Sequence, residues 1–134
     1  MAICERFDRK VEDKWQQWCE QNNTYNFVDS DTAKPVYSID TPPPFTSGEL
    51  HMGHVLSYSY FDFVARYKRM RGFNVYYPQG LDCQGFPTEV KVEAKHGRKP
   101  PEEFRRLCVE WTGEFIAKMR AQMKSLGFSA DWRY

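Results

Sequence analysis

Residues 36–54 read VYSIDTPPPFTSGELHMGH, and this stretch decides the fold of the chain. It begins with Val36–Asp40, a run rich in β-branched and aromatic residues that predicts a short strand. The three prolines after it lack backbone N–H groups, so they cannot continue a strand ladder and the strand ends near Asp40. From Met52 onward the apolar residues recur at helical spacing, which predicts a helix that begins beside two histidines.

The predicted helix has about five turns and ends at Gly72. We expect its buried face to consist of Met52, Val55, Leu56, Tyr60, Phe63, Val64 and Tyr67. A second strand, Phe73–Tyr77, comes next and is closed by Pro78. A strand, a helix and a strand in this order predict a crossover connection between parallel strands, and therefore an α/β fold.

Amphipathic helices are predicted on both sides of this unit. The N-terminal helix carries one apolar face and is stopped at Asn22–Thr24; the face consists of Ile3, Phe7, Val11, Trp15 and Trp18. The C-terminal helix starts near Pro101 and is capped by Gly127; its apolar face consists of Phe104, Leu107, Cys108, Trp111, Phe115, Met119, Met123 and Leu126. We expect the tryptophans on these faces, Trp15, Trp18 and Trp111, to pack in the core. Residues 1–33 are interpreted as a helical lead-in to one unit of residues 34–134.

Length and composition exclude several classes of protein. The 134 residues suit one domain, and a hydrophobic content of 41% excludes a disordered chain. A net charge of +1 excludes a protein that holds nucleic acid by bulk positive charge. The charged start MAICERFDRK and the absence of a long apolar run predict neither a signal peptide nor a membrane span, so we expect a cytoplasmic protein.

A local basic run contains Arg66, Lys68, Arg69 and Arg71 and no acidic residue. One interpretation is contact with phosphates of a nucleotide or nucleic acid. The other is a solvated helix end whose charges complement the helix dipole, and it is the more common arrangement.

The most informative turn contains His51 and His54, three residues apart at the start of the predicted helix. It places two imidazoles beside free backbone N–H groups and the positive end of the helix dipole, which is an anion site. Gly53 between them leaves one face without a side chain, where a flat ligand such as a purine could approach the backbone. Imidazole N–H groups directed at a phosphate would stabilise charge that develops during displacement.

Other interpretations of this turn compete. A lone H-x-x-H turn is more often a capping and packing arrangement than a site. A metal site needs more ligands than two histidines, so none is predicted. The sequence contains neither a Walker loop nor the G-x-G-x-x-G fingerprint of dinucleotide-binding domains.

The loop after the second strand carries the other candidate residue, Asp82. Ligands of open parallel sheets bind at the carboxyl ends of the strands, where both this loop and the histidine turn are expected. Asp82 is therefore a candidate partner for the ammonium group of a ligand. The alternative is an Asx-turn residue in a glycine-rich loop.

Several motifs in order resemble the class I aminoacyl-tRNA synthetases, and the archaeal type of valyl-tRNA synthetase most of all. They are Pro42-Pro43-Pro44, Ser47-Gly48-x-x-His51-Met52-Gly53-His54, Tyr67-Lys68-Arg69-Met70-Arg71-Gly72 and 81–93, LDCQGFPTEVKVE. The resemblance extends to Leu126-Gly127-Phe128-Ser129-x-Asp131-Trp132 and so covers nearly the whole chain. It implies that residues 34–134 are a partial nucleotide-binding domain, the first half of a Rossmann-like catalytic domain.

The resemblance also implies roles for individual residues. His51 and His54 match the motif histidines that bind ATP phosphates and stabilise the reacting α-phosphate, and Gly53 matches the glycine that packs on adenine. Ser47 and Gly48 belong to the same ATP-binding turn. Asp82, with the backbone around Pro42 and Pro43, matches the binding site for the amino acid. The implied reaction is valyl-adenylate formation from valine and ATP with Mg²⁺, followed by transfer to tRNA(Val).

The sequence also departs from the family. Leu81 and Gln84 stand where relatives often carry Trp and His, which affects the shape of the amino-acid pocket. Isoleucyl enzymes share a very similar Asp-Cys-x-Gly loop, so an isoleucine-specific relative remains an alternative. No KMSKS loop, editing domain or anticodon-binding region is present; the Lys118-Met119-Arg120 and Met123-Lys124-Ser125 segments are interpreted as parts of the last helix instead. A complementary C-terminal half is therefore an expected partner. Two further hypotheses are a non-catalytic module that retains ATP or aminoacyl-adenylate binding, and an unrelated purine-binding βαβ domain.

Overall fold

The structure, a computed structural model, describes residues 8–134. Its elements in chain order are α1 (Arg9–Gln21), β1 (Val36–Ser38), α2 (Met52–Met70), β2 (Asn74–Tyr76), α3 (Phe86–His96) and α4 (Pro101–Ser125). β1 and β2 form a parallel two-stranded sheet in which Tyr37 lies opposite Val75. The predicted strand, crossover helix and parallel strand are confirmed, with strands two residues shorter than expected.

Two neighbouring clusters of apolar side chains form the core. The first lies between the sheet and α2 and contains Ile39, Ala65, Val75, Tyr77 and Ala130. The second joins α2 to the end of α4 and contains Tyr58, Met123 and Phe128. Phe61 and Trp132 pack against both clusters, so the two clusters are continuous.

A buried polar network ties α2 to the segment after α4. Asp62 is buried, and its Oδ1 accepts hydrogen bonds of 2.6 Å from both the backbone N–H and the hydroxyl of Ser129. Its Oδ2 accepts a hydrogen bond of 2.7 Å from Arg66, whose guanidinium also donates to the Gly127 carbonyl. The segment then runs beside the end of β2, because Asp131 N–H donates to the Tyr77 carbonyl at 2.7 Å.

The interpretation of the basic run as a solvated helix end is wrong for three of its four members, which make contacts within the chain. Arg69 is largely buried; it donates to the carbonyl and hydroxyl of Ser129 at 2.9 and 2.8 Å, and burial lowers its pKa. The Lys68 ammonium lies 4.2 Å from the centre of the Tyr37 ring. With Arg66 bound to Asp62, these cations hold the fold together, and Arg71 alone of the run is exposed. The partners lie far away in sequence, so local reasoning offers only a solvated face or a phosphate-binding face.

The predicted buried face of α2 is also wrong. The buried residues of this helix are Tyr58, Asp62 and Ala65. The apolar residues expected in the core are exposed instead, with the exception of the half-buried Val55: Met52, Leu56, Tyr60, Phe63, Val64 and Tyr67. Helical periodicity identifies an apolar stripe but not the surface that covers it, and here the sheet and the 128–131 segment cover a different face.

The expected core positions of Trp15 and Trp18 are wrong for the same reason. Both side chains are about half exposed, at 51% and 47%, and no described residue of α1 is buried. Ile3 and Phe7, which belong to the same predicted face, lie outside the described residues. Trp111 is half-buried and contacts the loop before α2.

The C-terminal half contains one expected and one unexpected helix. α4 begins at Pro101 as predicted, buries Met119 and Met123 completely, and is followed by Gly127 at φ +77°. The two lysine-containing segments lie within it, so their interpretation as helix is confirmed. α3 was not predicted. None of the helices in residues 8–134 is long and apolar enough to cross a membrane.

Candidate functional site

The two loops predicted to carry the chemistry are joined directly. The Asp82 N–H donates to the Pro44 carbonyl at 2.8 Å, and the Thr46 N–H donates to the Asp82 carbonyl at 3.1 Å. These bonds continue the parallel pairing of β1 and β2 beyond the sheet, with Phe45 opposite Asp82. The carboxyl ends of both strands therefore lead to one place, as a ligand site of an open α/β sheet requires.

At the start of α2 the two histidines cap the helix and each other. His51 occupies the N-cap position, and its Nδ1 accepts a hydrogen bond of 3.1 Å from the Gly53 N–H. The His54 Nδ1 accepts a hydrogen bond of 3.3 Å from the His51 N–H. The two rings are stacked, with centres 3.9 Å apart and planes inclined by 26°. Two orphan N–H groups of the helix terminus are thus satisfied by imidazole nitrogens.

This geometry determines where the imidazole protons lie. A nitrogen that accepts a hydrogen bond carries no proton, so each neutral ring has its proton on Nε2. Within residues 8–134 neither Nε2 donates to another group. The turn therefore combines a capping role, carried by Nδ1, with two free donors. The capping interpretation and the functional interpretation do not exclude each other.

The neutral form of His54 is favoured in the folded chain. Partial burial and, to a smaller extent, the charge of His51 lower its pKa. Protonation at Nδ1 would also remove the acceptor of the His51 N–H. Both effects keep the imidazole neutral near pH 7, and a neutral ring retains its Nε2–H donor.

Gly53 makes the stacked arrangement possible. A Cβ built on this residue would lie 2.9 Å from Cε1 and 3.0 Å from Nδ1 of His51, closer than ordinary contacts allow. The space that the missing side chain leaves is therefore filled at least partly by the His51 ring. Contact of Gly53 with a purine stays a prediction.

Three side chains that sequence reasoning missed hold the loop before the turn. Tyr58 of α2 donates to the Pro42 carbonyl at 2.6 Å, and burial raises the pKa of this phenol to about 12, so it stays a donor. Trp111 of α4 donates to the Thr46 carbonyl at 3.0 Å. Gln122 of α4 accepts a hydrogen bond of 3.1 Å from the Leu50 N–H. No local pattern marks these residues, because each partner lies far away in sequence.

Asp82 forms the Asx turn that was the alternative interpretation. Its Oδ1 accepts a hydrogen bond of 3.2 Å from the Gln84 N–H, and its Oδ2 has no hydrogen-bond partner within residues 8–134. The carboxylate lines a groove of about 960 Å³ between this loop and α4. Neither histidine lines this groove or the cavity of about 900 Å³ between α1 and the end of α4.

The remaining predicted residues lie on the same loop. Pro42 and Pro43 are exposed. Pro43 lies near the loop of Asp82, because a Cβ built on Gly80 would be 3.9 Å from the Cβ of Pro43. Ser47 and Gly48 are half-buried in the turn before Glu49. In the part of the chain that the structure describes, no group of three or more His, Cys, Asp and Glu side chains is arranged to hold a metal ion.

Comparison with known proteins points to one family. The family model described as tRNA synthetases class I (I, L, M and V) matches residues 13–134. The valine–tRNA ligase of Methanothermobacter thermautotrophicus is 54% identical over 132 residues, which are 96% of this chain and 15% of that protein. The valine–tRNA ligase of Pyrococcus furiosus is 54% identical over 125 residues, 92% of this chain and 14% of that protein.

A solved structure agrees with these relatives. It is the agnB2 LeuRS of Agrobacterium radiobacter K84 in a ternary complex with tRNA and LeuAMS, with a TM-score of 0.83 and 29% identity over 95% of this chain and 15% of that chain. The chain thus spans about 15% of the length of the curated relatives that it matches. A family match over nearly the whole chain excludes an unrelated purine-binding domain. The chain belongs to the class I tRNA synthetases (I, L, M and V).

Proposed function

We propose that this chain is the N-terminal catalytic segment of a valine–tRNA ligase, which binds ATP and valine for the formation of valyl-adenylate. The observation that carries the proposal is the pair of stacked imidazoles at the start of α2, each accepting a backbone N–H at Nδ1 and leaving Nε2 free, beside the loop of Asp82. Relatives named valine–tRNA ligase, 54% identical over almost the whole chain, support valine as the amino acid.

In this proposal ATP phosphates meet the start of α2. The Nε2–H groups of His51 and His54 donate to phosphate oxygens, and the positive end of the helix dipole adds to the attraction. Ser47, Gly48 and Gly53 form the rest of the ATP-binding turn. Because Nδ1 of each ring is fixed by a backbone N–H, the two donors are oriented before the ligand arrives.

Valine is proposed to bind at the adjoining loop. The free Oδ2 of Asp82 accepts the ammonium group, and the backbone at Pro42 and Pro43 shapes a small apolar pocket. The Pro42 carbonyl already accepts a hydrogen bond from Tyr58, which ties this loop to α2. One methylene separates valine from isoleucine and provides only about 1–3 kcal/mol of discrimination, so an isoleucine-specific relative is the alternative.

The chemical step is derived from these positions. A carboxylate oxygen of valine attacks the α-phosphorus of ATP, a new P–O bond forms, and pyrophosphate leaves with the electrons of the broken bond. Negative charge that builds on the α-phosphate is stabilised by the Nε2–H donors, which are already in place. The described residues supply no metal site, so Mg²⁺ is expected to arrive bound to the phosphates of ATP.

We further propose that a complementary part of the enzyme, in the same polypeptide or in a second chain, provides the KMSKS-type loop and most contacts to tRNA(Val). The exposed apolar stripe of α2 supports this: Met52, Leu56, Tyr60, Phe63 and Tyr67 recur every three or four residues along the whole helix. Such a stripe is typical of a surface that another element covers. A role in translation would place the chain in the cytoplasm.

Valine-dependent exchange of labelled pyrophosphate into ATP tests the proposal. The chain alone, and the chain mixed with the complementary part of an archaeal relative, are each assayed with valine, isoleucine and leucine. We expect exchange with valine that is lost in His54→Ala and in Asp82→Ala but retained in Arg98→Ala, an exposed residue after α3 and outside the site. Exchange driven by isoleucine would assign the specificity to the alternative.

A non-catalytic module that retains ATP or aminoacyl-adenylate binding is the second candidate. It predicts that ATP binds while exchange stays absent even with the complementary part. Phe63→Glu, a change in the exposed stripe of α2, further distinguishes a catalytic segment from a non-catalytic module. This variant should abolish any exchange that depends on the complementary part and leave ATP binding by the chain unchanged.

A further inference from the structure

Gln122 of α4 connects the core of the protein to the residues immediately before His51. Its Oε1 accepts the Leu50 N–H at 3.1 Å, and its Nε2 donates to Oε2 of Glu49 at 3.0 Å. A carboxamide has a separate acceptor and donor, so one side chain can accept from the first group and donate to the second. A leucine at this position could make neither bond.

The side chain is carried by a rigid part of the helix. Met119 and Met123, on either side of Gln122, are completely buried, and Met123 packs with Tyr58 and Phe128. Leu50 packs against the same cluster. A residue held by the core on its own helix thus binds the backbone one position before the N-cap of α2.

The bond from Gln122 lies directly before the reciprocal caps of the two histidines. The His51 N–H binds the His54 Nδ1, and the His51 Nδ1 binds the Gly53 N–H. Both bonds depend on where the backbone enters residue 51. If the peptide before His51 is free to rotate, the reciprocal caps lengthen and the two imidazoles lose their common orientation.

We infer that Gln122 is a positioning residue for the two-histidine turn: its carboxamide fixes Glu49 and Leu50, and thereby holds both imidazoles as Nε2–H donors. The inference rests on the proposed function for its consequence in ATP binding. Its structural content, the state of the imidazole nitrogens, is measured without any ligand.

Nitrogen-15 NMR of the histidine side chains tests this directly, because Nδ1 and Nε2 have different chemical shifts when protonated. In the wild-type chain we expect His51 and His54 to show a protonated Nε2, with His54 titrating below its ordinary value. His96, at the end of α3, is the internal reference among the three histidines. Gln122→Leu removes both bonds, so His51 and His54 should each become a mixture of the two tautomers. The pKa of His54 should rise toward its ordinary value of about 6.5.

A double variant that exchanges the two side chains provides the rescue. The double variant Glu49→Gln/Gln122→Glu places a carboxylate at position 122 that accepts from the Leu50 N–H and from the new amide at position 49. It should restore the wild-type imidazole signals, whereas Gln122→Glu alone sets two carboxylates against each other and should not. Gln16→Leu is the matched control, since it removes one bond from α1 to the Ser125 carbonyl and should leave both imidazoles unchanged.

The outcomes separate the two levels of the proposal. Unchanged tautomers of His51 and His54 in a folded Gln122→Leu chain would overturn the positioning role, whether or not this variant binds ATP. If that variant does not fold, equal imidazole signals in the single glutamate variant and the double variant would overturn it instead. A different result would refute the proposed function and leave the positioning role intact: the wild-type tautomers match the expectation, but the imidazole nitrogen signals do not change when ATP is added.

Discussion

Gly53→Ala separates the stability of the α2 start from its function. Inside a helix this change normally stabilises a protein by about 0.5–1 kcal/mol. Here the new Cβ would lie 2.9 Å from Cε1 of His51, so the ring has to move by roughly 0.5 Å to reach ordinary contact. That displacement stretches the 3.1 Å bond from Gly53 N–H to His51 Nδ1 to roughly 3.6 Å, at which it is no longer a hydrogen bond.

Two opposing effects then act on stability. Loss of an N-cap bond costs about 0.5–2 kcal/mol, which offsets the gain from alanine, so the free energy of unfolding should change by no more than about 1.5 kcal/mol. The effect on ATP is not offset. A hydrogen bond to a charged group contributes about 1.5–3 kcal/mol, so loss of one aligned imidazole donor should weaken ATP binding by roughly tenfold or more.

Urea unfolding and calorimetric titration with ATP measure the two quantities on the same samples. Gly113→Ala is the matched control, because Gly113 lies inside α4 and a Cβ there meets nothing within 4 Å. The control should gain stability and bind ATP as the wild type does. If Gly53→Ala gains the same stability as the control and binds ATP equally well, the steric link between Gly53 and His51 is refuted.

Three further predictions concern the same structure. Asp62→Ala leaves the buried N–H and hydroxyl of Ser129 without an acceptor, so urea unfolding should show a loss of about 2–6 kcal/mol, at about 1–3 kcal/mol for each group; a loss below about 1 kcal/mol would contradict the network. Tyr58→Phe removes the donor to the Pro42 carbonyl and should cost about 1 kcal/mol in the same assay with unchanged secondary structure, whereas no loss would mean that the bond is unimportant. The pKa of His54 is lower in the folded chain than in the unfolded chain, so the folded state binds fewer protons at this residue. The contribution of His54 to the free energy of unfolding is therefore present above about pH 6.5 and is lost as the pH falls below it. The drop in unfolding free energy on acidification should be smaller in His54→Gln than in the wild type, and an equal drop would disprove the link.

The βαβ unit could be predicted because its signals are local. Prolines 42–44 end the first strand, apolar residues mark the helix, and Gly72 and Pro78 bracket the second strand. The histidine turn was predictable for the same reason, since both imidazoles and Gly53 lie within four residues. The sequence did not reveal that Nδ1 of each ring would be used for capping.

Features that depend on distant contacts could not be predicted. The face of α2 that is buried depends on Ser129 and its neighbours, which lie more than 60 residues away in sequence. Periodicity alone assigns the strongest apolar stripe of α2 to the core, but in the structure this stripe is exposed. The bonds of Arg66 and Arg69 to the 127–129 segment escape prediction for the same reason. α3 was missed because Gly85 and Pro87 suggest a loop, although proline in the first turn is a common helix start.

An ATP titration monitored through the imidazole nitrogens tests the proposed site most directly. If the start of α2 binds phosphate, the Nε2 signals of His51 and His54 should shift together and saturate with one ATP per chain, while His96 stays unchanged. Inorganic sulfate at the same ionic strength is the control for unspecific anion binding. No shift at the two histidines, or an equal shift at His96, would contradict an ATP site at this turn.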